Sequence, residues 1–83
     1  MDEEVPEDFI QWCKDGRWVM KNYAALLEDY ENKYIGVRNY LILDSDTNQM
    51  RLINKLQKKF GKENTYNIKM ELIRKYNNQY YLL

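Results

Sequence analysis

The chain has 83 residues, with thirteen basic and thirteen acidic side chains, no histidine and one cysteine. This length predicts one domain, residues 1–83, with a modest hydrophobic core. The lack of histidine excludes imidazole bases and imidazole metal ligands, and one cysteine excludes internal disulfides and multi-cysteine metal sites. We therefore predict a protein that is not an enzyme and uses no cofactor or metal.

The distribution of apolar residues indicates a folded protein outside the membrane. Apolar residues make up 45% of the chain, which is typical of a globular domain rather than of a disordered one. No apolar run approaches the roughly 20 residues that span a bilayer. The N-terminus is acidic, unlike the basic start of a secretory signal. We expect a cytoplasmic protein.

Residues 5–16 predict a short first helix. A proline opens it, two carboxylates follow in the first turn, and Gly16 can end it. Phe9, Trp12 and Cys13 fall on one face, which is expected to be buried because so short a helix forms only when it packs. Without a histidine to activate it, Cys13 is predicted to be a buried thiol rather than a nucleophile.

A second helix is predicted over residues 23–30, with Asn22 as its N-cap. Apolar side chains recur at i, i+3, i+4 and i+7 from Tyr23 to Tyr30, which is the pattern of one buried helix face. This helix follows the first almost directly.

The pattern changes to strand after residue 33. Residues 34–37 and 40–43 are two β-rich runs, and the pair Arg38-Asn39 between them predicts a tight hairpin turn. Asparagine tolerates the positive φ that such a turn needs, whereas arginine does not favour it. The two strands are expected to be antiparallel.

Residues 44–48 form an acidic loop in this reading, with the Asp-x-Asp-x-Asn opening of a calcium loop. The sixth position is Gln49 instead of glycine, the twelfth is Lys55 instead of glutamate, and the segment follows a strand. Capping of the next helix by Asp46 or Thr47 is therefore the preferred interpretation.

Residues 48–60 predict the third helix, ended by Gly61. An apolar stripe runs from Leu52 to Phe60, and the opposite face is basic. Its basic residues are Arg51, Lys55, Lys58, Lys59 and Lys62.

Residues 66–72 alternate between apolar and polar, as a half-buried strand does. The apolar set is expected to face the core and the polar set to face water. The apolar residues are Tyr66, Ile68, Met70 and Leu72, and the polar residues are Asn67, Lys69 and Glu71. The tail could turn at Asn77-Asn78 and return as a fourth strand.

The element order α-α-β-β-α-β predicts an α+β fold. Two or three helices would cover one face of a small antiparallel or mixed sheet, because the last strand alternates instead of being apolar throughout. The core would span residues 18–75, preceded by an acidic helix or extension at 1–17 and followed by a tyrosine-rich tail at 76–83.

Aromatic and apolar residues over 18–73 follow a recognisable order. Those that carry it are Trp18, Asn22, Tyr23, Leu26, Leu27, Tyr30, the strand at 33–37, the acidic loop at 44–46 and the helix end at 59–61. This order resembles a small uncharacterised family of archaeal α+β proteins, although the turn Arg38-Asn39 stands where that family has an Asp-Gly type. The resemblance implies an α+β fold and an archaeal or archaeal-virus source, and it implies no catalytic residue.

Two binding functions are compatible with these features. Eight tyrosines, two tryptophans and the open edges of a small sheet favour a protein-interaction or accessory module that self-associates. The candidate interface residues are Trp12, Trp18, Tyr80, Tyr81, Leu82 and Leu83. The alternative is a nucleic-acid or ribonucleoprotein binder that uses the five basic residues of the third helix.

The neutral total charge conceals two opposed halves. Residues 1–46 hold eleven acids and five bases, and residues 47–83 hold two acids and eight bases. If the halves lie apart, head-to-tail self-association or a charged partner becomes plausible; if they touch, they neutralise one another within the domain.

Overall fold

A computed structural model describes residues 5–75 of the chain and confirms the α+β class and the predicted order of elements. The elements are α1 (Glu7–Lys21), α2 (Tyr23–Tyr30), β1 (Lys33–Arg38), β2 (Leu41–Asp46), α3 (Gln49–Phe60), a short 3-10 turn (Lys62–Asn64) and β3 (Lys69–Ile73). The tail predicted as a fourth strand lies outside the described residues. Over residues 5–75, no helix has the length and apolar character needed to cross a membrane.

The three strands form one antiparallel sheet in the order β2-β1-β3. Both β2 and β3 run antiparallel to β1, so they are parallel to each other on either side of it. The α3 helix makes the connection between them, as a parallel pair requires. The central strand β1 is thereby enclosed on both edges.

Helices cover both faces of this sheet, whereas the sequence pattern led us to expect one. Ile35 and Val37 of β1 pack with Ile73 against α1 and α2. On the opposite face, Leu52 and Leu56 of α3 pack with Ile68 and with side chains of all three strands. The sheet is therefore the middle of three layers.

Gly36 explains why the second covered face is hard to read from the sequence. A Cβ at this position would lie 2.9 Å from Leu56 Cδ1 and 3.2 Å from Ile68 Cγ2. The absence of a side chain in the middle of β1 lets α3 approach the sheet closely. In a sequence pattern, a glycine suggests a break in a strand, although here it marks a close contact between two layers.

The first helix is longer than predicted and runs through Gly16 to Lys21. Gly16 lies against the Lys69 side chain, with 3.3 Å from its ideal Cβ position to Lys69 Cε. The expected burial of the short helix face was wrong in part, since Phe9 is 53% exposed and Cys13 is half-buried. The predicted boundary at residue 17 falls inside this continuous helix.

Asn22 stands between α1 and α2 without capping α2 through its side chain. Its amide Nδ2 instead donates to Trp18 O at 2.8 Å and so satisfies a carbonyl at the end of α1. The bounds of α2 and the burial of Tyr23 and Leu26 agree with the prediction.

The hairpin turn lies one residue later than predicted. Asn39 and Tyr40, with φ of 54° and 65°, are the two central residues, as a type I′ turn requires. Arg38 belongs to β1, and β2 continues through Asp46, so the predicted loop at residues 44–46 is strand. Asn48, and neither Asp46 nor Thr47, caps α3 by accepting from Arg51 N.

The last strand begins at Lys69 instead of residue 66. Tyr66, expected in the core, is 75% exposed, while Ile73 beyond the predicted end is fully buried. Lys69, expected in water, lies with its Nζ 4.0 Å from the centroid of the Trp12 ring. The α1 helix covers this face of β3, which accounts for the difference.

Candidate functional site

The basic face of α3 packs beside an acidic strand end. Lys55 Nζ lies 3.4 Å from Asp44 Oδ1 and 3.2 Å from Asp46 Oδ2, and it donates to Ser45 O at 2.8 Å. Lys59 Nζ lies 3.1 Å from Asp44 Oδ2, and an Arg51 Nη lies 2.9 Å from Asp46 Oδ1. Strand alternation places both aspartates on the α3 face of the sheet, and helical spacing places a cation above them at each turn.

The pKa of Asp46 is held well below its usual range by this arrangement. The Arg51 guanidinium bond contributes most, followed by the Asn48 backbone N–H, and Lys55 adds a further bond to the carboxylate. Each of these donors favours the charged form of the carboxyl. The hydrogen bond and ion pair with Asp46 also raise the pKa of Arg51.

The pKa of Asp44 is also lowered, but by a different combination of causes. Partial burial is the largest influence and raises its pKa, but the Ser45 backbone N–H together with Lys59 and Lys55 outweighs it and lowers the pKa overall. Both carboxylates are therefore ionised over the neutral range and form ion pairs with three of the five candidate cations.

The remaining two candidates on this face, Lys58 and Lys62, are exposed. Within residues 5–75, neither makes an ion pair or a side-chain hydrogen bond. The five-residue basic stripe is thus divided into a paired row and two isolated lysines. Two acids of the N-terminal half of the chain therefore contact three bases of the C-terminal half.

A buried carboxylate in α1 holds the hairpin turn. Asp15 is 0% exposed. Its Oδ2 accepts from Asn39 N at 3.1 Å, and its Oδ1 accepts from Tyr40 N at 2.9 Å and from Gln11 Nε2 at 3.0 Å. The carboxylate therefore satisfies two backbone N–H groups at residues of positive φ and fixes the turn against α1.

Beside this turn, α1 and the hairpin enclose an open depression of about 430 Å³. It is lined by Lys14, Arg17, Trp18, Lys21 and Tyr40, and we call it the α1 cationic pocket. The three cations share one side of α1 because their spacing of three and four residues returns to the same face. None of them is engaged in an ion pair or side-chain hydrogen bond anywhere in residues 5–75.

A second group of side chains joins α1, the hairpin and the segment before β3. Arg38 Nη2 lies 2.6 Å from Asp8 Oδ1, and Arg38 Nη1 donates to Asn67 O at 3.2 Å. Asn67 Nδ2 in turn donates to Asp8 Oδ2 at 3.2 Å. The side chains of Asp8, Arg38 and Asn67, together with the main-chain carbonyl of Asn67, thus form a connected polar cluster on the surface.

Apolar side chains surround that polar cluster on two sides. Three adjoining depressions all include Asp8, and Arg38 and Asn67 each line two of them. On one side the apolar lining is Phe9, Trp12 and Tyr66, and on the other it is Leu41, Leu43 and Phe60. We call the polar cluster and these six residues together the hairpin-end surface.

The aromatic side of the hairpin-end surface is ordered by stacking. The Phe9 and Trp12 rings are stacked, with centroids 6.0 Å apart and an interplanar angle of 12°. Lys69 lies over the Trp12 ring and makes a cation–π contact with it, which helps to fix this ring in place. Such pre-ordered aromatic groups contribute contact area to binding at little entropic cost.

The structure separates the two tryptophans that the sequence grouped as interface candidates. Trp12 belongs to the hairpin-end surface, whereas Trp18 lines the α1 cationic pocket. The other candidates, Tyr80, Tyr81, Leu82 and Leu83, lie outside the described residues.

Asp15 and the cations of α1 were not among the functional residues predicted from the sequence. Placing the end of the first helix at Gly16 cut their pattern in two. With the helix continued, Asp15 falls on the same side as Trp12 and Val19, which signals a buried carboxylate, and the cations fall on another side.

No cluster of three metal-ligating side chains is present within residues 5–75. Comparisons of the chain with family models, with curated proteins and with solved structures find no match. The resemblance to an archaeal family and the source that it implies stay predictions.

Proposed function

We propose that the protein is a non-enzymatic interaction module that self-associates through its hairpin-end surface. The single observation that carries this proposal is the exposure of large apolar groups around a polar cluster that is already satisfied. Phe9 is 53% exposed, Leu41 64% and Tyr66 75%. Exposed aromatic side chains together with arginine are enriched at protein interfaces.

A second copy of the chain is the partner that this surface fits best. Asp8 and Arg38 form an ion pair within the chain, so a partner needs no opposite charge to bind at this surface. An apolar rim with a satisfied centre is complementary to another of the same kind, as a two-fold contact requires. A small domain also gains stability when association buries such side chains.

The face of α3 with its five basic residues is less suited to carry a function by itself. Three of those cations are paired with Asp44 and Asp46, and a phosphate would have to compete with these carboxylates. Nucleic-acid binding by this face stays a prediction. Reversing the charges of Lys55, Lys58 and Lys59 tests it, since unchanged binding of RNA and DNA at low salt would contradict it.

The self-association is tested by sedimentation of the double variant Leu41→Gln/Tyr66→Gln. At about 100 µM protein we expect the unmodified chain to sediment as a dimer and the variant as a monomer. The contact is apolar, so the dimer should persist in about 0.5 M salt, which would dissociate a head-to-tail assembly of opposed charges.

The matched control is Met20→Gln/Met50→Gln, which removes two exposed apolar side chains elsewhere, 42% and 64% exposed. This control should remain a dimer, and circular dichroism should show all three proteins folded. A monomeric unmodified chain, or equal dissociation by the control variant, would contradict the proposal.

A further inference from the structure

The α1 cationic pocket combines positively charged side chains with aromatic rings, and a single class of ligand can bind to both. Lys14, Arg17 and Lys21 present three positive charges, and Trp18 and Tyr40 present two aromatic rings. We infer that this pocket binds the nucleotide unit, with phosphate held by the α1 cations and the base stacked on an aromatic ring, as in single-stranded nucleic acid.

The positive charge of the pocket favours an anionic ligand. Three of the five α3 cations have aspartates beside them, whereas the acidic residue within this part of α1, Asp15, is buried and turned toward the hairpin. Within residues 5–75, none of the three α1 cations forms an ion pair with a carboxylate, so they repel one another along one side of the helix. An external anion relieves that repulsion.

Tyr40 occupies a turn position that is unusual for a tyrosine. A φ of 65° is favourable for glycine or asparagine and strains the backbone of a tyrosine. Its ring gains little burial in return, since the residue is 46% exposed. The ring instead lines the pocket, and Asp15 holds the backbone that places it there.

The other aromatic ring of the pocket, that of Trp18, is held rigidly. Trp18 lies in the interior of α1 and packs in part against the core formed with Val19 and Tyr23. One side of the indole is thereby fixed while another lines the pocket. A fixed aromatic surface beside cations suits base stacking, which is tolerant of sequence.

The test is a titration of Trp fluorescence with a twelve-residue oligouridylate and, separately, with uridine monophosphate. We expect the oligonucleotide to bind at low salt with an affinity that falls as salt rises, by about 0.7 in log–log slope for each phosphate contact. Tighter binding of the oligonucleotide identifies a single strand as the ligand, and equal binding of the mononucleotide identifies a free nucleotide.

Two matched charge reversals locate the binding. Arg17→Glu/Lys21→Glu should weaken binding at least about tenfold, whereas Lys58→Glu/Lys62→Glu, with the same four-residue spacing and the same change in net charge, should change it less than about threefold. Equal losses for the two variants would overturn the inference, as would equal binding of a poly-glutamate peptide.

Tyr40→Gly separates binding from folding. Glycine relieves the positive φ, so the Tm should stay unchanged or rise, while loss of the ring should weaken oligonucleotide binding severalfold. Unchanged affinity in this variant, or no binding by the unmodified chain at low salt, would overturn the inference. Failure of the hairpin-end variants to dissociate would leave this result untouched, because the two surfaces share no residue.

Discussion

The two faces of the sheet use charge in opposite ways. On the α3 face, the sheet supplies the acids, Asp44 and Asp46, and the helix supplies bases that pair with them. On the α1 face, the helix supplies a buried acid, Asp15, that binds backbone N–H groups, and within residues 5–75 its three bases form no ion pair. Three of the five α3 cations are therefore paired within the fold, whereas the α1 cations are available for an anion.

The difference shows that a row of cations in a sequence is not itself evidence of a binding surface. Both rows lie on amphipathic helices, and the α3 row is the longer. The neighbouring strand decides which row stays free, because β2 brings carboxylates under α3 while the hairpin beside α1 brings Asn39 and Tyr40.

The largest expected effect is at Asp15. Its replacement in Asp15→Ala leaves the N–H groups of Asn39 and Tyr40 without their acceptor and should lower the free energy of unfolding by about 3 kcal/mol. Urea denaturation followed by circular dichroism measures this. Asp29→Ala, which removes an exposed acid of α2, is the control and should change stability by less than about 0.5 kcal/mol. Equal effects would show that the carboxylate does not anchor the turn.

A smaller effect is expected from closing the gap between β1 and α3. In Gly36→Ala, the new methyl would lie 2.9 Å from Leu56 Cδ1, and the overpacking should cost about 2 kcal/mol of unfolding free energy. The same change in α1, Gly16→Ala, meets only the flexible Lys69 side chain and should add about 0.5 kcal/mol, because alanine is the better helix former. Thermal unfolding of both variants measures the contrast, and a neutral Gly36→Ala would contradict the close packing.

The smallest expected effect on stability comes from the paired row of α3. The pKa values of Asp44 and Asp46 are lowered in the folded state, so their contribution is present above the unfolded pKa near 4 and is lost as the pH falls below it. The variant Asp44→Asn/Asp46→Asn should therefore be less stable at neutral pH and show a flatter decline under acid. Urea midpoints between about pH 2 and 7 measure this.

The same double variant sharpens the comparison between the two helices. Removal of the carboxylates frees Arg51, Lys55 and Lys59, so the variant should bind the oligonucleotide more tightly at low salt than the unmodified chain does. Glu28→Gln/Asp29→Asn, which removes two exposed negative charges from α2, controls for net charge. If the decline of stability at low pH or the affinity for the oligonucleotide were unchanged in the double variant, the ion pairs would not offset the charge of this face.

Much of the fold follows from local patterns that the sequence displays. The α3 helix, with Gly61 at its end, and α2 were predictable because apolar spacing and end signals agree within a few residues. The two strands of the hairpin were predictable for the same reason, although their turn was placed one residue early. Tyr40 in a left-handed position has no local signal, since the force that holds it is the carboxylate of Asp15, twenty-five residues away.

The sequence by itself determined the α+β class, the order of elements and the amphipathic character of α2 and α3, because these depend on residues a few positions apart. Only the tertiary structure decided which charges remain free. Whether a cation pairs depends on the strand packed beside it, and that neighbour is set by long-range sheet topology. Asp44 and Asp46 under α3, and Asp15 turned away from the α1 cations, are the contacts that make the difference.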